Sequence, residues 1–504
     1  MRILQVIALG LIAGCRGCGE SKLDDTGGTV DTGEHHPHDS RSEDTETKPG
    51  DSCAEPDDTG WHWRDSGDTG WSRPCDDGEV ETPETITEAV ASFPEATISR
   101  VVGDIDGDGF LDIAAGYECV DGMREQLAIY RGPLQGTYTP TDGDFRMYFD
   151  YDFCWEVWWD GGIGAVEPVA DQNGDGLSEL LVDVWGYAGS HHGESNWDIL
   201  RIFYSPLGSA GAFGGADGGV YLHRNFSSVS AAGDPTGDGV GDVVLGFWDS
   251  EYDSVWTGAA VLPGPLVSGS LDDASLIGGC ATYEVYSVDA SMDFDGDGID
   301  DLLIGGEWER IHGGIITAFL GPVEGNRAVA DADLFLGTGG GLYGGATATW
   351  LPDPSGDGRP DILVGAHYED LGCHETGTVW AFRSPAGEGL QMRDADMTIH
   401  GRYRYDGFGS NLADAGDVDA DGVEDILLGA GGEDGTERDA GAVYLVLGAP
   451  SGVCTLEEVA TRYASTEREV WYLGGAGTLG DTYGPAGDEF LASARGAAYV
   501  FTAP

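Results

Sequence analysis

Lysine is almost absent from this chain of 504 residues, which has only Lys22 and Lys48. Arginine adds few further cations, so that 24 basic residues stand against 90 acidic ones and the formal net charge is −66. The scarcity excludes a P-loop lysine or a Schiff-base lysine from residues 81–504. The acidity disfavours nucleic acid and other polyanions as partners, because like charges repel.

Long hydrophobic runs are also missing, apart from one of about ten residues near the start. It follows one arginine and ends in Ile12-Ala13-Gly14-Cys15, so that residues 1–14 resemble a bacterial lipoprotein signal peptide with lipidation at Cys15. An ordinary secretory signal cut nearby is the alternative, and both are processed export signals. The resemblance implies an outer-membrane lipoprotein, periplasmic or surface-exposed, because Arg16 and not Asp follows the cysteine.

Aliphatic residues are rare from residue 15 to residue 80, where Asp-Thr-Gly recurs four times. Residues 20–81 contain 19 acids and 5 bases, a net charge of −14. Low hydrophobicity with an excess of one charge is typical of disordered chains. We therefore expect residues 15–80 to form an acidic disordered tether between the lipid and the rest of the protein.

The remaining residues contain a repeated acidic loop. In GDVDADGVEDILLGA, Asp417, Asp419, Asp421 and Asp425 offer carboxylates at loop positions 1, 3, 5 and 9, and position 7 adds a backbone carbonyl. Such a set of oxygens suits Ca²⁺, which accepts six to eight oxygen ligands in flexible geometry. Position 12 is Leu428 and not the bidentate Glu of an EF-hand, and the loop runs into an apolar, strand-like segment.

Five earlier loops share this pattern, and successive loops start 67, 63, 59, 60 and 64 residues apart. We number them one to six in chain order and predict about six calcium ions as the cofactor. Loops one, four and six, with four Asp each, should bind most tightly, whereas loops three and five replace one Asp by Thr or Ser. The predicted ligands are Asp104, Asp106, Asp108, Phe110 and Asp112; Asp171, Asn173, Asp175, Leu177 and Glu179; Asp234, Thr236, Asp238, Val240 and Asp242; Asp293, Asp295, Asp297, Ile299 and Asp301; Asp353, Ser355, Asp357, Arg359 and Asp361; and Asp417, Asp419, Asp421, Val423 and Asp425.

A second signal counts the repeats independently. Strand-like segments closed by proline recur seven times, ending at Pro133, Pro206, Pro265, Pro322, Pro385, Pro450 and Pro504. Seven units of about sixty residues, each with short strands and Gly-rich turns, indicate an all-β fold. We predict a seven-bladed β-propeller over residues 81–504, in which the seventh blade has no acidic loop.

The end of the chain raises the question of how the ring closes. After the proline-ended segment, a further strand is predicted at residues 273–279, 331–337, 395–401 and 467–475, but the seventh repeat stops at Pro504. Its blade would be one strand short, and an unpaired edge promotes aggregation. We therefore predict that residues near 83–92 pair beside the strand at 497–502.

Nine cysteines leave an even number once Cys15 is assigned to lipid, which suits an oxidising compartment. Cys119 and Cys154 fall within one repeat, and Cys53 and Cys75 fall within the tether, and we predict these two disulfides. The sequence does not pair the other four cysteines.

The segment GFGSNLADAGDVDADGVEDILLGA, residues 407–430, resembles the FG-GAP repeat of integrin α-subunit propellers and their bacterial relatives. Phe408 and Gly409 match the FG pair, and Gly429 and Ala430 match the first two residues of GAP, with Gly431 in place of proline. The resemblance implies a non-catalytic cell-surface binding or adhesion protein. We expect a monomer that reaches the membrane only through its lipid and binds a protein, or a neutral or cationic glycan, on a propeller face.

The alternative is a polysaccharide-active hydrolase or lyase that works in the central channel, since one fold hosts many activities. Convergent His, Arg or carboxylate side chains at the channel mouth would favour it. Neither a Gly-x-Ser-x-Gly elbow nor a His-Glu-x-x-His motif is present. Two weaker patterns are a transition-metal set, His367, Cys373 and His374, and an aromatic patch for sugar stacking or core packing, Trp155, Trp158 and Trp159.

Overall fold

A computed structural model describes most of the chain from residue 84 onward. The described residues are 84–85, 89–117, 126–148, 159–190, 193–207, 211–212, 218–222, 226–231, 233–247, 257–266, 274–279, 283–308, 313–337, 347–369, 376–384, 392–402, 406–433, 441–464, 471–480, 487–495 and 497–502. The predicted signal peptide, Cys15, the tether with Cys53 and Cys75, and Cys119, Cys154, Trp155, Trp158, Cys373 and His374 lie outside them, and of Trp159 only the backbone is described.

The strands of the first three blades follow one another in chain order, after two short N-terminal strands. The N-terminal pair is β1 (Glu84–Thr85) and β2 (Ala91–Pro94). Blade 1 contains β3 (Ala96–Val101), β4 (Ile113–Tyr117), β5 (Gln126–Tyr130), β6 (Gly136–Thr137), a 3-10 helix (Pro140–Asp142) and β7 (Phe145–Tyr148). Blade 2 contains β8 (Trp159–Val169), β9 (Glu179–Ser190), β10 (Gly193–Phe203), β11 (Gly211–Ala212) and β12 (Gly218–Leu222). Blade 3 contains β13 (Phe226–Ser230), β14 (Val243–Phe247), β15 (Thr257–Leu262) and β16 (Ser275–Gly279).

The other four blades repeat this order. Blade 4 contains β17 (Tyr283–Met292), β18 (Asp301–Trp308), β19 (Gly313–Phe319), a 3-10 helix (Val329–Asp331) and β20 (Leu334–Gly337). Blade 5 contains β21 (Thr347–Leu351), β22 (Asp361–Ala366), β23 (Thr378–Phe382), a 3-10 helix (Met392–Asp394) and β24 (Met397–His400). Blade 6 contains β25 (Phe408–Gly416), β26 (Asp425–Ala430), β27 (Ala442–Val446), β28 (Gly452–Thr455), α1 (Leu456–Val459) and β29 (Ala460–Ala464). Blade 7 contains β30 (Trp471–Gly480), β31 (Glu489–Arg495) and β32 (Ala497–Phe501).

The strands form seven separate sheets, each with an antiparallel core of four strands, which confirms the predicted all-β propeller. Seven hydrophobic clusters hold the sheets together, and each is shared by two consecutive blades. The cluster with Ile113 and Tyr117 of blade 1 also includes Leu491 and Val500 of blade 7. Because the seventh blade packs on the first, the sheets close into a ring.

First strands of consecutive blades are joined by hydrogen bonds from side chain to backbone. Ser228 Oγ accepts from the Val288 N–H at 3.1 Å, and Ser287 Oγ accepts from the Ala348 N–H at 2.8 Å. Each blade therefore places its first strand beside the channel and its fourth strand outside.

The outer edge of several blades is covered by a piece of the next blade. The connection between the third and fourth strands of a blade pairs in parallel with the fourth strand of the blade before it: β6 with β2, β11 with β7, and β28 with β24, while an isolated bridge joins Arg327 to Ile277. This pairing shields edges that would otherwise recruit other chains.

The N-terminal segment closes the ring, as the sequence predicted, but the residues that pair with β32 are 91–94, whereas the prediction was 83–92. β2 is antiparallel to β32, with Ala91 opposite Val500 and Pro94 opposite Ala497, and so it is the fourth strand of blade 7. β1 instead pairs in parallel with β29 of blade 6. The N-terminal segment thus has two roles. β2 is the outer strand of blade 7, and β1 covers the outer edge of blade 6.

One strand was assigned to the wrong blade. Residues 467–475 were expected to be the outer strand of blade 6, but β30 (Trp471–Gly480) is the first strand of blade 7, and β29 is the outer strand of blade 6. In blade 6, β28 and α1 lengthen the connection after the third strand, and β29 follows them as the outer strand. The next strand in the chain, β30, is therefore the first strand of blade 7.

The part of the chain that the structure describes contains no helix long and apolar enough to cross a membrane.

Candidate metal centres

The six acidic loops all join the first strand of a blade to its second strand, so that they lie on the same face of the propeller. Each loop folds around its first aspartate. In loop four, Asp293 Oδ1 accepts from the Gly296 N–H at 2.7 Å, and its Oδ2 accepts from the Gly298 N–H at 2.7 Å. Gly296 and Gly298 have φ of +82° and +93°, which glycine adopts without strain. In loop six, the position that corresponds to Gly296 is Ala420, whose φ of +58° is an unusual conformation for alanine.

Four of the loops bring three carboxylates together. One oxygen from each member of the triplet lies within 4.8 Å of the others in loops one, three, four and six, and the triplets are Asp104, Asp106 and Asp108; Asp234, Asp238 and Asp242; Asp293, Asp295 and Asp297; and Asp417, Asp419 and Asp425. Two ligands of one Ca²⁺, each about 2.4 Å from the ion, lie at most about 4.8 Å apart. The oxygens therefore fit one coordination sphere, and an all-oxygen set is the kind that Ca²⁺ prefers.

Loops two and five do not group three carboxylates in this way among the residues described. In loop two the Asn173 amide donates to Asp175 Oδ2 at 3.1 Å, and in loop five the Ser355 hydroxyl donates to Asp353 Oδ1 at 3.4 Å. Loop three, expected to be weaker because of Thr236, still forms a triplet because the buried Asp242 completes it. The position 7 residues, from Phe110 to Val423, lie in the loops between the first and second strands. The role of their carbonyls as ligands stays a prediction.

The carboxylate at position 9 has a structural role that the sequence did not reveal. Its side chain is buried in all six loops. It accepts at least one backbone N–H from within the loop and another from just after the third strand of the blade. Asp301, for example, accepts from the Phe294 N–H at 2.8 Å and from the Gly321 N–H at 2.7 Å. The second donors are Gly132, Ser205, Gly264, Gly321, Ser384 and Gly448. A Gly or Ser recurs one or two residues before each of the first six prolines, and this recurrence is the sequence signal from which the contact could have been found.

Burial and neighbouring charge make these carboxyl groups harder to ionise. Burial is the main cause that raises the pKa of Asp112, Asp242, Asp301 and Asp425 to about 6 in each case, and the charges of loop neighbours add a smaller increase. The backbone N–H donors oppose this shift without cancelling it. A divalent cation would compensate this crowded negative charge.

Loop one already holds a cationic side chain. Arg131, at the end of β5, places its Nε 3.1 Å from Asp106 Oδ2. The corresponding residues of blades 4 and 6 are Leu320 and Leu447. An arginine that occupies one ligand competes with a metal ion for the same carboxylate.

We predict that Arg131→Leu increases the calcium affinity of loop one. Removing the competing charge frees Asp106, and a gain of about threefold to tenfold corresponds to roughly 0.7 to 1.4 kcal/mol, as for a partly exposed ion pair. Calorimetric titration of the variant beside Arg327→Leu, which removes an arginine that pairs with Asp333 outside the loops, provides the check. Equal affinities in the two variants would contradict the competition.

Charged side chains of the first strands are bonded to neighbouring blades. Arg100 of β3 donates from Nε and Nη2 to Glu167 Oε1 of β8, at 3.1 and 2.6 Å. Asp289 of β17 accepts from the Thr349 hydroxyl at 2.6 Å and from the Trp350 N–H at 2.9 Å. Burial raises the pKa of Glu167, Arg100 lowers it, and the charge of Asp289 raises it further. These groups therefore link blade 1 to blade 2 and blade 4 to blade 5.

The described residues include His367 of the predicted transition-metal set and Cys454, one of the four cysteines that the sequence does not pair. His367 lies beside Tyr368, with ring centroids 4.0 Å apart, and burial lowers its pKa. Cys454, on β28, is disulfide-bonded.

The FG pair has a packing role in blade 6. Phe408 is fully buried and meets Tyr444 edge to face, with ring centroids 5.8 Å apart. Gly409 has φ of +83°, and its carbonyl oxygen would lie 2.3 Å from a Cβ placed on Gly365 of blade 5. Both glycines thus allow the first strand of blade 6 to approach blade 5 closely.

Comparison with known proteins agrees with this geometry. Residues 409–446 match the FG-GAP repeat model. The chain is 32% identical over 181 residues to integrin alpha pat-2 of Caenorhabditis briggsae, covering 32% of this chain and 14% of that protein. It is also 32% identical over 181 residues to integrin alpha-5 of Xenopus laevis, covering 34% of this chain and 16% of that protein.

The chain thus spans about a sixth of the length of the curated relatives that it matches. Among solved structures, the Dos1 propeller has a TM-score of 0.37 and 9% identity, covering 83% of this chain and 96% of that one. This similarity is low, and the fold described above rests on the hydrogen-bonded sheets themselves. The chain therefore contains an FG-GAP repeat and is similar to integrin α subunits within a seven-bladed propeller.

Proposed function

We propose that this protein is a calcium-stabilised, non-catalytic binding protein at the outer surface of a bacterial cell. The observation that carries the proposal is the similarity to integrin α subunits, which are cell-surface proteins, in a propeller in which four acidic loops group carboxylates that could hold a metal ion. The ligand is a protein, or a neutral or cationic glycan, held on a propeller face. The protein acts as a monomer.

Charge supports this choice of partner. Residues 20–81 account for −14 of the net charge of −66, which leaves −52 for the rest of the chain. Six calcium ions would add +12, so the loaded propeller would remain near −40. Polyanions are repelled by such a body, whereas cationic surfaces are attracted and neutral glycans are not opposed.

Calcium acts structurally in this proposal. The ions would be held by the carboxylates of loops one, three, four and six, and by the mixed oxygen sets of loops two and five. When bound, calcium supplies positive charge that lets the loop carboxylates stay close together. The lipidated Cys15 and the acidic tether would hold the propeller away from the membrane.

The binding function is tested with the purified propeller, residues 81–504, on a glycan array and against labelled cell-surface proteins. We expect saturable binding that is lost in chelator, and no release of reducing ends or unsaturated sugars from the glycans that bind. Turnover of a polysaccharide would instead establish the alternative, a channel enzyme.

Anchoring has its own test. Cys15→Ser should move the full-length protein from the membrane fraction to the soluble fraction and abolish labelling by a fatty acid, whereas Cys18→Ser, three residues away, should do neither. Unchanged labelling of the Cys15 variant would remove the lipid anchor from the proposal.

A further inference from the structure

The acidic loops of neighbouring blades touch one another. At the seam between blades 3 and 4, Asp300 Oδ2 accepts from the Asp234 N–H at 2.8 Å. Asp300 occupies position 8 of loop four, and Asp234 is the first residue of loop three. Ile299 adds an apolar contact, because a Cβ on Gly237 would lie 3.0 Å from its Cδ1. Loop four therefore supports loop three at two points.

Asp234 is the residue around which loop three folds. Its Oδ1 accepts from the N–H groups of Gly237 and Asp238 at 2.8 and 3.2 Å, and its Oδ2 accepts from the Gly239 N–H at 2.7 Å. Fixing the backbone of Asp234 from outside therefore fixes the whole turn. Loop three has particular need of support, since Thr236 replaces a charged ligand and ligand charge sets affinity.

We propose that Asp300 is a positioning residue, through which a cation in loop four prepares loop three to bind its own cation. The inference rests on the proposed calcium binding. A cation held by Asp293, Asp295, Asp297 and Asp301 fixes the backbone on both sides of Asp300, and so it fixes the carboxylate that holds Asp234. Loop three then loses less conformational freedom when its cation binds, which makes the two events cooperative. By linkage, the coupling is reciprocal.

The seam between blades 6 and 7 has the same kind of contact, but blade 7 contributes no acidic loop to it. Asp488 of blade 7 accepts from the Asp417 N–H through Oδ2 at 3.1 Å, and its own N–H donates to the Asp417 carbonyl at 2.9 Å. Blade 7 has no acidic loop of its own. At this seam, loop six is therefore supported without a filled loop in the neighbouring blade.

The test is hydrogen exchange measured by mass spectrometry during a calcium titration, which reports each loop separately. Peptides covering residues 234–242 report loop three, and peptides covering residues 293–301 report loop four. In Asp300→Ala we expect the calcium midpoint of loop three to rise at least fivefold, the lower end of typical coupling. Loop four is the tighter site and fills before loop three, so its midpoint should stay within twofold of the wild type. Asp300→Asn keeps an acceptor oxygen and should restore most of the coupling.

The matched control is Glu324→Ala, which removes one exposed acid from the same blade and should change neither midpoint. Asp295→Asn, which weakens loop four directly, should raise the midpoint of loop three when Asp300 is present and should not raise it further in Asp300→Ala. Identical loop three midpoints in wild type and Asp300→Ala would overturn the proposal. Absence of calcium-dependent protection in every loop would overturn calcium binding itself, which is a different failure.

Discussion

Chelation of calcium is expected to lower the melting temperature of the propeller by roughly 10 °C. If an average site has a dissociation constant of ~0.1 mM and free calcium is ~1 mM, binding stabilises the folded state by ~1.4 kcal/mol per site, or ~8 kcal/mol for six sites. That is comparable with the whole stability of a typical domain, ~5 to 15 kcal/mol. The unfolding entropy of a chain of this size converts it into the stated shift.

The pH dependence gives the same prediction a sharper form. Without calcium, the carboxyl groups of Asp112, Asp242, Asp301 and Asp425 have a pKa of about 6, above the value of ~3.9 for an unfolded chain. Their contribution to stability is present in full below the unfolded value and is lost as the pH rises through the folded value. The calcium-free protein should therefore be less stable at pH 7.5 than at pH 5.5. The loaded protein should show the opposite trend, since protons displace the ion.

Differential scanning calorimetry at both pH values, with calcium, with chelator, and with calcium restored after chelation, makes the measurement. Restored calcium should recover the original melting temperature, and magnesium at the same concentration should recover less of it, because Mg²⁺ demands a tighter octahedral geometry. An unchanged melting temperature in chelator at pH 7.5 would show that the loops fold without structural ions.

The number of blades could be predicted from sequence because two independent periodicities coincide, the acidic loops and the proline-ended third strands. The outer strands could not all be placed, because they are short and their neighbours are remote in sequence. Residues 467–475 illustrate this. An apolar strand pattern does not indicate the position of the strand in a sheet, and β29 is already the outer strand of blade 6. Similarly, β1 has two residues and is a strand only through its pairing with β29.

The spacing of the acidic residues predicts which of them belong to the loops, but it does not predict the different structural role of each position. Position 9 carboxylates brace the loop to a donor about twenty residues further along the chain, and the loop pattern by itself carries no trace of that partner. The contact of Arg131 with Asp106 and the contact of Asp300 with Asp234 are set by how blades and strands pack, so they could be read only from the structure. The FG pair, by contrast, was visible as a motif, and its packing reason became clear only at the seam with Gly365.

Removing the N-terminal strands is expected to open the ring and to destabilise the propeller strongly. β2 pairs with β32 over four residues, and Phe93 is fully buried with its ring centroid 4.9 Å from that of Tyr130 and 5.5 Å from that of Tyr138. Loss of one buried phenylalanine side chain typically costs 3 to 5 kcal/mol, that is, ~4 kcal/mol for Phe93 alone. Deletion also exposes the edge of β32, and an open edge promotes association with other chains.

Two truncated proteins separate closure from the tether. A protein that begins at residue 76 keeps β1 and β2 and should be as soluble and heat-stable as the full chain, whereas one that begins at residue 95 should aggregate or melt at a much lower temperature. A synthetic peptide of residues 81–95, added to the shorter protein, should restore part of the lost stability by pairing with β32, and the same peptide with Phe93→Ala should restore less. The peptide arm matters because it reproduces the contacts of Phe93 without the covalent connection to β3. Thermal melts and light scattering measure both effects, and closure by the N-terminal segment would be wrong if the two truncated proteins melted alike.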